Sequence, residues 1–221
     1  MNDPSDEEKE TALRQLIETS RELNLEMLVA RAQAIQAFAN LEQALCALFA
    51  LVGDMTNRTA ATIFFRISAF GSRRKIIDEL FRQKFKDRPI TAFMASLQRG
   101  LAPVEQERNE IVHWTVVNHQ RNHSVSISLR PPVFWSRALD PERGDSKDAN
   151  RLKLFKDKCH FWEIACLKFI DAVNANSGLD QPERASWLDI FQKSLAYPPQ
   201  EATLLERALR ELHSQPQSSL A

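Results

Sequence analysis

Residues 28–52, LVARAQAIQAFANLEQALCALFALV, decide the fold. Two apolar rows run along this stretch. One is Ala34, Phe38, Leu41, Leu45, Leu48 and Val52, spaced 4-3-4-3-4; beside it lie Leu28, Ala32, Ile35, Ala39, Cys46 and Phe49. A helix with one row packs on one neighbour, and a helix with two faces neighbours on more than one side. The stretch is therefore expected to be the central helix of a bundle, ending at Gly53 as its C-cap. Glu42 falls in the second row, where it either pairs with an Arg, lines a site or sits at a rim.

The rest of the chain reads outward from this helix. Upstream, residues 3–22 carry seven acidic and three basic side chains around Leu13, Leu16 and Ile17, which predicts a separate, solvated first helix. Downstream, Asn57 or Thr59 starts a short helix with Ala60, Ile63, Phe64 and Ile67. A break near Gly71 and Ser72 then leads to another with Ile76, Ile77, Leu80, Phe81 and Phe85. Between Arg66 and Arg88 eight basic residues face three acidic ones, the chain's one basic concentration. It is read as a solvated helix face, with Arg66, Arg73, Arg74 and Lys75 as the candidate contacts to an RNA backbone.

A long helix is predicted over about 90–113. Its stripe is Ile90, Met94, Leu97, Leu101, Val104, Arg108 and Ile111, in phase straight through Pro103, so a kinked helix is expected over two separate ones. After His113 the period changes to two. Thr115 to Val117, a polar turn at 118–122 and the alternation Ser124 to Leu129 predict a β-hairpin, which must pack on the bundle because a lone hairpin is marginal. Residues 131–148 read as a loop. A last core helix carries Leu152, Phe155, Cys159, Trp162, Cys166, Phe169 and Val173, which makes both thiols core residues and leaves His160 at the surface. Gly178 is its expected cap. Two amphipathic pieces follow, around Trp187 to Phe191 and Leu204 to Leu212, which either wrap the bundle, the favoured reading, or mediate dimerisation or bind a partner.

The fold class is thus mainly α: an up-down bundle of four to five core helices, one hairpin after the motif helix and amphipathic terminal helices. The expected divisions are an acidic helix or arm over 1–24, a bundle over 25–177 that includes the hairpin at 115–130, and a helical extension with a frayed tail over 178–221. With 221 residues, only 5 glycines and 29 Lys+Arg against 29 Asp+Glu, composition favours helices, and no global field draws the chain to nucleic acid or an anionic membrane. An absent signal segment, no apolar run of about 18 residues and three cysteines without metal-ligand spacing suggest a soluble, cytoplasmic protein with reduced thiols.

One octapeptide carries candidate chemistry: Glu107-Arg108-Asn109-Glu110-Ile111-Val112-His113-Trp114. An Arg fork holds phosphate and a His moves protons near neutral pH. Asn109 and His113, four apart, share a helix face. At ~100° per residue Arg108 lies about 140° around from His113, so one intact helix does not aim both at one phosphate. Arg on a buried-facing stripe also requires pairing, a cleft or a subunit interface.

Arg108, Asn109 and His113, with four residues between Arg and His near the end of a bundle helix, resemble the signature of the HEPN superfamily. The resemblance covers roughly residues 28–175. It implies a homodimer whose composite site cleaves RNA without metal or cofactor, in the manner of toxin or defence ribonucleases, with the 2′-hydroxyl as nucleophile. His113 would then be general base or acid, Arg108 would bind the scissile phosphate, and Asn109 would orient the imidazole or the phosphate. An antitoxin or regulatory protein is a possible partner. Other members are non-catalytic dimeric modules that bind nucleic acid or protein, the alternative reading. Some toxins of the family carry a modifiable Tyr two residues after the His; here that position is Thr115, and the sole tyrosine is Tyr197.

Overall fold

In the computed structural model, the described residues are 5–86, 90–121, 124–132, 146–176 and 190–199. They form a mainly helical bundle with one hairpin, in the order α1 (Asp6–Val52), α2 (Asn57–Phe64), α3 (Phe70–Lys84), α4 (Thr91–His113), β1 (Thr115–Arg121), β2 (Ser124–Arg130) and α5 (Ala149–Asn176).

The two helices expected upstream of Gly53 are one. α1 runs for 47 residues through the expected 24/25 division. Neither Gly nor Pro interrupts residues 6–52, and the half-buried Leu16 and Leu23 continue the spacing of the buried Met27, Ala30 and Ala34. Ser5 starts it with a reciprocal cap: its hydroxyl accepts from the Glu8 amide at 3.3 Å, and its amide donates to the Glu8 carboxylate at 2.7 Å. At the far end the left-handed residue is Asp54 (φ 50°) rather than Gly53. Lys84 closes this terminus by donating to the Leu51 carbonyl at 2.6 Å and pairing with the Asp54 carboxylate.

An apolar window of α1 is long enough to cross a membrane by length and composition, contrary to the expectation that no such run exists; just over half of it is buried inside the protein, as in a core helix.

Thr56 caps α2 by accepting from the Thr59 amide at 3.2 Å. The break before α3 falls ahead of Gly71 and Ser72, which lie inside that helix, and Ile67 lies beyond the end of α2. α4 is continuous through Gly100 and Pro103. In the hairpin, pairing runs from Thr115↔Arg130 to Arg121↔Ser124, so 118–121 are strand rather than turn. The backbone of Lys147 extends the pairing, bonding Leu129 at 2.8 and 3.1 Å. Asp148 then caps α5, accepting from the Arg151 amide at 2.8 Å.

The chain divides into two compact units. The first comprises Met1–Gln36 and Glu107–Lys156, and the second Ala37–Gln106 and Asp157–Ala221. Buried side chains of the first include Met27, Ala30, Ile111, Trp114, Ile127, Leu129, Leu152 and Phe155. In the second, Phe93 stacks on Phe169 with ring centres 4.4 Å apart, and Phe191 meets both rings edge-on at 5.0 and 5.2 Å. The end of the first expected amphipathic piece, at Phe191, thus packs into this core. Gly178, Trp135, Trp187 and the Leu204 to Leu212 piece lie outside the described residues. The core stripe of α5 is buried from Leu152 to Phe169, with Cys159 and Cys166 fully enclosed. His160 is half-buried beside Glu163, at 3.1 Å, rather than fully at the surface.

Candidate active site

The motif occupies the last turn and a half of α4, in the first unit. A helix extends to His113 because Ile111 keeps the apolar phase and is buried, and it stops where Trp114 turns inward and the β-branched run Thr115 to Val117 begins. The Trp114 amide still bonds the Glu110 carbonyl, at 2.9 Å.

Asn109 and His113 are exposed and Arg108 is half-buried, so all three reach solvent although Arg108 shares the phase of the buried Val104 and Ile111. The Arg108 guanidinium donates to the Asn109 side-chain oxygen at 3.0 Å. Such a bond holds the fork against an amide that shares a face with His113. The helix is intact from Arg108 to His113, so the angular separation of about 140° expected for ideal geometry applies.

Two side chains that the sequence did not single out join the neighbourhood. Arg31 of α1 donates to the Val112 carbonyl at 2.7 Å. Lys147 pairs with the Glu110 carboxylate at 2.9 Å and lies 5.5 Å from the centre of the Trp114 ring. A signal for Arg31 existed, since it interrupts the core-facing phase of Met27 and Ala34. Lys147 follows a segment without periodicity and had none.

The four basic candidates of the second unit divide. Arg66 and Lys75 are exposed. Arg73 is buried instead: it pairs with Glu42, donates to the Ile67 carbonyl at 2.7 Å and packs 5.0 and 5.6 Å from the centres of the Phe64 and Phe65 rings. Arg74 is half-buried and exchanges bonds with Gln98, donating to its carbonyl at 3.0 Å and accepting through its own carbonyl at 2.9 Å. A backbone phosphate cannot reach a guanidinium enclosed in this way, so Arg73 is corrected from surface contact to core ion pair. Glu42 is correspondingly a core partner and not a rim residue.

A cavity of about 670 Å³ in the second unit is lined by the end of α1, by Lys84 and Phe85, and by Ile170, Val173 and Asn174 of α5; no motif residue lines it. Among the described residues no three His, Cys, Asp or Glu side chains group as metal ligands. No protein-family model matches the chain, and neither the curated proteins nor the solved structures contain a significant match.

Proposed function

We propose that the chain is a metal-independent endoribonuclease of the HEPN type, cytoplasmic and acting as a homodimer, in the manner of toxin or defence nucleases. The observation that carries the reading is the disposition of Arg108, Asn109 and His113 on one solvent-facing helix end, with the guanidinium bonded to the amide. In this reading His113 takes the proton from the ribose 2′-hydroxyl. The 2′-oxygen attacks phosphorus, the bond to the 5′-oxygen breaks, and that oxygen leaves with a proton supplied by the corresponding imidazole of the second chain. The products are a 2′,3′-cyclic phosphate and a 5′-hydroxyl end. Arg108 binds the non-bridging oxygens and offsets the charge that grows on them. Asn109 orients the fork. The angle between Arg108 and His113 is the reason for invoking a second copy.

The test is cleavage of single-stranded RNA in excess chelator. His113→Ala and Arg108→Ala, folded and of unchanged oligomeric state, are expected to lose cleavage by about a hundred-fold or more, the scale for a general base or a charge-stabilising donor. Retention of activity by both variants sinks the reading.

A second reading, a non-catalytic dimeric interaction module, is favoured by one observation. Leu25, Leu28 and Ile35 on α1 are 64, 54 and 41 % exposed, an apolar strip of the kind that marks association surfaces. On that reading the motif variants leave partner binding unchanged.

A further inference from the structure

We infer that Arg31 and Lys147 are positioning residues for the motif turn, locking the end of α4 so that Arg108, Asn109 and His113 are presented in one fixed arrangement. The inference rests on the ribonuclease reading and adds to it two residues that touch neither the substrate nor each other.

The physical need is plain. The last four carbonyls of a helix have no partner within it, so a helix end frays unless something outside holds it. In α4 that fraying would fall on His113 itself. Arg31 removes it at one point, donating to the Val112 carbonyl at 2.7 Å. A cation here also opposes the negative end of the helix dipole. The half-buried guanidinium is carried on α1, the longest helix of the chain, from a position between the fully enclosed Ala30 and Ala34. It is therefore anchored at its base as well as its tip.

Lys147 holds the same turn from another side. Its backbone is fixed by two hydrogen bonds to Leu129, which is itself fully buried. Its ammonium reaches the Glu110 carboxylate at 2.9 Å, both side chains being about 20 % exposed, and stands 5.5 Å from the centre of the buried Trp114 ring. The turn is thus gripped at the Val112 carbonyl, the Glu110 carboxylate and the Trp114 ring. None of these belongs to the motif's three reactive side chains, which stay open to solvent. Holding geometry this way matters because a displacement of about 1 Å at a reacting group costs on the order of a hundred-fold in rate.

The experiment pairs backbone amide exchange with steady-state cleavage in excess chelator, on the full chain carrying Arg31→Ala, Arg31→Lys or Lys147→Ala. The Trp114 amide, bonded to the Glu110 carbonyl, is the reporter. Both alanine variants are expected to exchange it faster and to lower kcat by about ten- to a hundred-fold, with KM within about twofold. Arg31→Lys, which keeps a donor for the Val112 carbonyl, recovers part of both. Unchanged exchange at Trp114 in both alanine variants overturns the clamp whatever the activity. Faster exchange with undiminished kcat overturns its role in the reaction. A wild-type chain that cleaves no RNA sinks the ribonuclease reading, while the exchange result still judges the clamp.

Discussion

Arg73 is enclosed, with a side chain only 10 % exposed and its partner Glu42 at 21 %. Phe64 and Phe65 cover the guanidinium, and its Nε–H donates to the Ile67 carbonyl. Removing one member of such a pair strands the other charge away from water. Arg73→Ala is therefore expected to cost about 3–5 kcal/mol, read as the shift in a urea unfolding midpoint, while Lys75→Ala, on the exposed face, stays within about 0.5 kcal/mol. The thiols follow from burial too. Burial pushes Cys46 up, against the opposing pull of Arg73, and pushes Cys166 up further, with Glu163 adding to the effect. A raised thiol holds its proton more tightly folded than unfolded. Its contribution to stability is therefore complete below the ordinary thiol range and is lost as pH climbs from that range to the raised value of the folded state. At neutral pH little thiolate forms, so maleimide is expected to label these cysteines only after unfolding. Prompt labelling of the native chain would contradict that. The sequence showed both thiols on a core stripe, but it could not tell Arg73 from Lys75. Both are basic residues of one short helix, and only the position of Glu42 on another element separates them.

At the scale of elements, periodicity carried most of the fold. α4 spans Thr91–His113 against an expected 90–113, and the stripe of α5 is buried nearly as read. Charge does not mark a boundary in α1: its acidic start has the composition of a separate arm, yet no helix breaker stands between it and the core. The hairpin turn is shorter than its polar residues suggest, because 118–121 have the composition of a loop and pair as strand. Gly100, inside α4, serves packing. A Cβ there would meet the Trp162 ring at 2.1 Å, so the bare backbone is what lets the indole lie against α4. Gly100→Ala raises helix propensity by about 1 kcal/mol and is still expected to destabilise the chain, by about 1–3 kcal/mol, because a buried indole has to move. Thermal unfolding of this single variant checks the sign, and a stabilised variant would refute the packing account.

On the scale of the whole molecule, the chain's candidate chemistry is concentrated in one of two compact units. The first unit holds Arg108, Asn109 and His113, the two cations that grip their turn, and the exposed Leu25, Leu28 and Ile35. The motif was legible as residue types at a spacing. Its support was not, because Arg31 and Lys147 lie far from it in sequence and meet it only through α1 and β2. The central claim is that this motif is half of a ribonuclease site. The most direct test mixes wild-type chain with an inert Arg108→Ala/His113→Ala chain in about nine-fold excess, lets subunits exchange, and measures RNA cleavage in excess chelator. If two copies build each site, most wild-type chains are then paired with an inert one, and activity per wild-type chain falls towards about a tenth. Activity per wild-type chain that is unchanged by the inert partner would contradict the claim.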